Sequence, residues 1–352
     1  MMAQYPSTII DRSLPEIYPS YSKMSRLDIL DFCWLLKSVG VEAVEIDVAL
    51  LRKIARLPEG LDFIFRVRSE EDLEACMENG VRRCILRKPI LGLPGVARRI
   101  SEWKLDITLE VNANSLDGIC NLEKLVQLEG IKSVSCLRIS GLGRITSGQW
   151  VAAVEHIKNV LNVKIDICPG NRFSMGTATA FEAFEAGMDY VTAAFAGYGR
   201  DHRYVPLEEL LASTKVILHK NTRMDLSILP ELSSRFRKYT HKEIPGGKAI
   251  IGNDIFKYES GIHAGGIDKN PDTYEPFDPS VVGQKRELFI GKHSGRLSVR
   301  KKLMELGYDT DDCDLANLLV LIREKSIKAG RNLNDEELAG LYCENIGYMT
   351  HM

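Results

Sequence analysis

Between residues 7 and 219, short runs rich in Val, Ile and Phe alternate eight times with segments of helical period, and no other feature of the chain narrows its fold as much. The predicted strands are Ser7–Leu14, Val41–Asp47, Asp62–Ser69, Arg82–Lys88, Leu105–Val111, Ser133–Ser140, Lys164–Pro169 and Tyr190–Gly197. The intervening amphipathic segments include Ser25–Val39, which opens on a serine suited to an N-cap, and Glu70–Gly80, Gly95–Lys104, Leu122–Leu128, Gly148–Val160, Thr177–Gly187 and Leu207–His219. Eight strand–helix pairs in roughly 210 residues fit an α/β chain folded as a (β/α)8 TIM barrel. A doubly wound open sheet would share the alternation. The lack of a Gly-x-Gly-x-x-Gly turn after the first strand counts against its nucleotide-binding form.

Beyond about residue 221 the pattern changes, first to the Leu-containing helical stretch Leu226–Tyr239 and then to the Gly-rich stretch Pro245–Gly295. Helical period returns in Ser298–Leu306 and Leu315–Ala329, and Asn334 followed by acidic residues reads as a further helix start. The expected organisation is a barrel over residues 1–222, a linker and Gly-rich lid over 223–295, and a small helical piece over 296–352.

At 352 residues and 45% hydrophobic composition the chain has enough apolar material for a large core, and a net charge of -2 gives no reason to expect nucleic acid or an anionic membrane as partner. The eight cysteines, at positions 33, 76, 84, 120, 136, 168, 313 and 343, lack the spacing of a disulfide scaffold or zinc knuckle. Reduced thiols in the cytoplasm are the expectation, and no export signal or long apolar span argues otherwise.

Barrel enzymes carry their chemistry at the C-terminal ends of the strands. Those positions hold Asp11 to Glu16, Asp47, Arg66, Arg68, Arg87, Lys88, Glu110, Asn112, Arg138, Ser140, Cys168, Asn171, Arg172 and Arg200. Guanidinium groups converging on one cleft bind a dicarboxylate or phosphate through paired hydrogen bonds, so Arg138, Arg66 and Ser140 are candidates for substrate binding. Pairing with nearby acids such as Glu71, Asp72, Glu110 and Asp201, or plain solvation, is the competing role for these arginines.

Three polar, glycine-punctuated blocks crowd residues 256–300. They are Phe256 through Glu259-Ser-Gly-Ile-His263, Tyr274 through Gly283, and Gly291-Lys-His-Ser-Gly295. This stretch resembles the region after the barrel in the homocitrate synthase and isopropylmalate synthase family, whose members condense acetyl-CoA with a 2-oxo acid. The resemblance covers nearly the whole chain and is strongest over residues 245–310. It implies that His263 is a catalytic base reaching the barrel of a partner subunit, with Tyr274 close by. His293, within Gly291-Lys-His-Ser-Gly295, reads as a structural or helix-capping residue.

Over the barrel the resemblance implies losses. The family's Asp-Thr-Thr-Leu-Arg-(Asp/Glu)-Gly stands here as Asp11-Arg12-Ser13-Leu14-Pro15-Glu16-Ile17, so Glu16 keeps a metal-ligand position while Pro15 replaces an arginine. The family's two metal-binding histidines on the seventh strand fall on Cys168 and Gly170. Glu16 and Cys168 are thus the residual metal candidates, two where a catalytic site needs about three.

A metal-poor barrel with an intact lid is similar to the omega type of the split homocitrate synthases associated with nitrogen fixation. What that implies is an acyltransferase subunit acting on acetyl-CoA and 2-oxoglutarate within a hetero-oligomer, the divalent Mg, Mn or Zn residing in the partner barrel and no cofactor in this chain. The open alternatives are a self-sufficient 2-oxo-acid acetyltransferase of the isopropylmalate or citramalate type and a non-catalytic barrel that binds an organic acid, and for assembly a homodimer is the alternative to the hetero-oligomer.

Overall fold

A computed structural model describes residues 8–18, 23–113, 134–142, 149–199, 204–218, 224–311 and 313–349. The predicted helix Leu122–Leu128, Arg200 and Asp201 lie outside the described residues. Eight parallel strands close into a barrel in sequence order: β1 (Thr8–Asp11), β2 (Ala43–Asp47), β3 (Asp62–Arg66), β4 (Arg83–Arg87), β5 (Asp106–Ala113), β6 (Val134–Gly141), β7 (Lys164–Pro169) and β8 (Tyr190–Ala193). β8 closes on β1 through Thr8 to Tyr190 and Asp11 to Ala193. Each predicted strand corresponds to one of these. β1 and β8 are shorter than expected, because Ser13–Ile17 turns into a short helix and Phe195–Gly197 into a 3-10 turn.

Helices pack between the strands as the periodicity requires. In Arg26–Ser38 the Ser25 side chain accepts from the Asp28 amide while Asp28 accepts from the Ser25 amide, a full capping box that fixes the helix start. Its buried face is Ile29, Phe32, Cys33 and Leu36.

Strand alternation decides what fills the barrel. Ile10, Ala43, Ile64 and Ile85 point the same way from β1 to β4 and form an apolar layer. Two residues further along the same faces come Arg12, Glu45, Arg66 and Arg87. The barrel therefore changes from an apolar floor to a charged upper storey within one strand repeat.

Two compact units divide the chain, residues 1–244 and 245–352. The first runs past the expected boundary at 222 because the helix Leu229–Thr240 packs on Arg26–Ser38. Lys238 pairs with Asp28 at 2.9 Å, and Phe32 meets Tyr239 edge-on with ring centroids 6.0 Å apart.

The second unit joins the expected lid and helical piece around one core of its own. It contains the parallel pair β9 (Lys257–Tyr258) and β10 (Glu287–Leu288) and the helices Gly261–Lys269, Arg296–Glu305, Leu315–Ala329 and Asp335–Met349. Leu288, Ile290, Val299, Leu303, Leu318, Ile322, Leu338 and Tyr342 pack together there. No helix among the described residues is long and apolar enough to cross a membrane.

Candidate functional site

The charged storey of the barrel is an alternating lattice. Glu45 accepts from Arg66 Nε at 2.5 Å and also from Arg138, while Arg138 Nε donates to Asp166 at 2.5 Å. Arg66 reaches Glu110 at 2.6 Å, and Glu110 in turn pairs with Arg87 at 3.0 Å. Burial alone would raise the Glu45 carboxyl, but Arg66, Arg12 and Arg138 outweigh it and hold it below the ordinary range. The same balance lowers Glu110, with Arg66 the leading cation.

Arg138 is wholly buried within this lattice, and Ser140 donates to the Val111 carbonyl at 3.0 Å. Neither lines the cavity at the C-terminal mouth. That cavity, of ≈ 470 Å³, is walled by Arg12, Glu16, Arg66, Arg68, Arg87 and Tyr204 among others. Of the three residues expected to bind substrate, Arg66 therefore faces the open space, while Arg138 shores up the wall from behind.

Arg12 dominates the site, a role that its place beside Pro15 and Glu16 in the chain does not reveal. Its guanidinium donates to Glu16 Oε1 at 3.1 Å, lies 3.8 Å from Cys168 Sγ, and stacks over the Tyr204 ring at 4.1 Å from the centroid. Tyr204 in turn donates to the same Glu16 oxygen at 2.9 Å. A side chain on Gly199 would collide with the Tyr204 ring at 2.6 Å, and its φ of +150° also favours glycine, so the ring's close approach needs that residue. The available signal was strand alternation, which puts Arg12 on the same face as Ile10.

This arrangement does not suit a divalent metal. The two residual candidates, Glu16 and Cys168, are both engaged by one guanidinium, so a cation already stands between them. Burial raises the Cys168 thiol, and the opposing pull of Arg12 and Arg138 does not cancel it, whereas a metal ligand must be thiolate. Among the described residues no group of three or more His, Cys, Asp or Glu side chains is disposed to hold a metal.

In the second unit, His263 stands exposed on the helix Gly261–Lys269, its ring centroid 5.0 Å from that of Tyr274. Tyr274 is itself 44% exposed. The pair shares one face because Gly266 leaves room for the tyrosine: a Cβ there would meet its Cε2 at 2.2 Å. The start of this helix is anchored from the loop carrying His293. The His293 amide donates to the Glu259 carboxylate at 2.5 Å, and Ser298 donates to the Glu259 carbonyl at 3.1 Å. His293 thus contributes its backbone to holding the segment in place.

Residues 250–329 match the family model described as homocitrate synthase post-HMGL domain-like. The chain is similar to the homocitrate synthase omega subunit of Clostridium pasteurianum, 33% identical over 341 residues that cover 96% of this chain and 95% of that protein. It is also similar to homocitrate synthase 1 of Nostoc sp., 37% identical over 54% of this chain and 51% of that protein. A third relative, 2-isopropylmalate synthase 2 of Caldanaerobacter subterraneus, is 35% identical over 54% of this chain and 49% of its own length, so these last two matches span about half of each relative. The barrel superposes on hydroxymethylglutaryl-CoA lyase from Pseudomonas aeruginosa with a TM-score of 0.58 at 12% identity, covering 69% of this chain and 96% of the other, a likeness of fold.

Proposed function

The chain belongs to the homocitrate synthase family, and from that premise we propose that it is one subunit of an acyltransferase that condenses acetyl-CoA with 2-oxoglutarate. In this reading it works beside a homologous barrel that holds a divalent ion. The observation that carries the division of labour is Arg12 lodged between Glu16 and Cys168, which puts a guanidinium where the residual metal candidates would meet an ion, while His263 and Tyr274 remain exposed and adjacent.

The role of His263 is to remove a proton from the acetyl methyl group. The resulting carbanion adds to the ketone carbon of the oxo acid, the alkoxide so formed takes up a proton, and water then cleaves the thioester to release coenzyme A and a carboxylate. Tyr274, whose ring centroid lies 5.0 Å from that of His263, orients the imidazole. The polarising cation for the ketone belongs to the partner barrel, to which this chain supplies the lid.

The reading is tested by assaying acetyl-CoA and 2-oxoglutarate condensation with the purified chain, with a metal-bearing homologous barrel, and with both. Turnover is expected only for the pair, and it should vanish when His263→Ala is introduced here. Turnover by the lone chain would reject the division of labour.

A further inference from the structure

We propose that Cys76 and Cys84 form a redox modification site, two buried thiols placed to close into a reversible disulfide within the wall of the barrel. The site is independent of the role given to His263.

Local structure brings the two sulfurs together. Cys76 lies in the last turn of the helix Glu70–Glu78, on the buried face with Asp72 and Leu73. The helix ends in a Schellman turn: Gly80 takes a left-handed φ of +70°, its amide donates to the Met77 carbonyl at 3.0 Å, and the Val81 amide donates to the Cys76 carbonyl at 3.0 Å. The chain therefore doubles back beneath Cys76 and enters β4. Ile85 joins the apolar layer inside the barrel, so alternation turns its neighbour Cys84 outward to the helix layer. The two Sγ atoms lie 3.1 Å apart, about 1 Å more than in a formed bond.

Cys76 and Cys84 are 0% and 1% exposed. The Cys76 thiol has the Val81 carbonyl as acceptor at 3.1 Å, which leaves its sulfur lone pairs to face Cys84. Contact with Cys76 and burial together push the Cys84 thiol up, so the resting pair is two neutral thiols. Entry is from the helix end, where Glu78, Asn79 and Gly80 are exposed and local unwinding presents Cys76 to a small oxidant. The oxidant is a low-molecular-weight disulfide. Exchange at Cys76 gives a mixed disulfide and one small thiol, and Cys84 then attacks the Cys76 sulfur and expels the second. The protein pair gives up two electrons and two protons, and the small disulfide takes up both.

The test is incubation of the folded full-length chain with oxidised and reduced glutathione at graded ratios and fixed total concentration, alkylation of the remaining thiols, and mass spectrometry of tryptic peptides. A cross-linked pair of peptides, residues 69–82 and 84–87, is expected, short of two hydrogens and separated by dithiothreitol. Because its second step is intramolecular, the link should be half formed at an oxidised share at least about tenfold below the share that half-modifies the exposed Cys343. The parent chain supplies every readout, so no variant has to fold. Absence of the linked peptides from the folded chain, a link that forms only after urea has unfolded it, or a midpoint no lower than that of Cys343 would each overturn the proposal.

Discussion

The carboxylate of Glu45 and the guanidinium of Arg138 meet inside the barrel with both side chains at 0% exposure. Charges so completely removed from water are tolerated only when each is matched. Glu45 is the hub, because it holds Arg66 as well as Arg138.

Replacing Glu45 with Gln should therefore be severe. It keeps the shape but takes a carboxylate from each of two buried guanidinium groups, leaving Arg66 with Glu110 and Arg138 with Asp166, and loss of one partner of a buried pair costs about 3–5 kcal/mol. Urea unfolding of the variant should show a loss of that order. A change below about 1 kcal/mol would mean the lattice does not hold the barrel together.

Asp11 gives a pH signature of opposite sense to the usual carboxylate. Burial drives its pKa up to about 7, and the two hydrogen bonds from Ser13 only partly restrain the rise. The folded chain therefore holds this proton over a range in which the unfolded chain has released it. The Asp11 contribution to stability is complete below about pH 4 and is lost as pH rises from there to about 7. Asp11→Asn should flatten that portion of the stability–pH curve between pH 4 and 8. An unchanged slope in the variant would show that another group is responsible.

His263→Ala, at an exposed position, should leave the unfolding midpoint within about 0.5 kcal/mol of the parent. In the reconstituted pair it should cut turnover by roughly 10²- to 10⁴-fold, the usual span for loss of a general base. Full activity in the variant would remove His263 from the chemistry.

Gly266→Ala tests whether the tyrosine matters through its position. The added methyl would sit 2.2 Å from Tyr274 Cε2, and the half-exposed ring can swing outward to escape it. Stability should change by less than about 1 kcal/mol, while turnover should fall towards the level of Tyr274→Ala. A variant as active as the parent would show that the contact with His263 is incidental.

The barrel was legible because eight apolar runs at regular intervals leave few ways to close a core. The lattice inside it was only half legible. Arg66, Arg87 and Glu110 could be assigned to strand ends, but which arginine would be walled in and which would face the cavity depends on cross-barrel partners such as Glu45 and Asp166, far apart in the chain. Arg138 sits behind the wall for that reason. Arg12 was harder still, since its importance comes from meeting Cys168, 156 residues away, and Tyr204. His263 and Tyr274 were singled out by resemblance to the family's segment after the barrel, and the structure brings their rings together. The barrel unit's extension to residue 244 was hidden because Leu229–Thr240 carries no mark of which neighbour it packs on.

The bonds from His293 and Ser298 to Glu259 mean that the helix carrying His263 is tied at its start to a segment thirty-odd positions downstream. Sequence drift in Gly291–Ser298 would consequently bear on the placement of His263 as well as on the packing of the segment itself. On the proposed role of His263, that segment is a lever on rate that leaves the ionisable groups untouched.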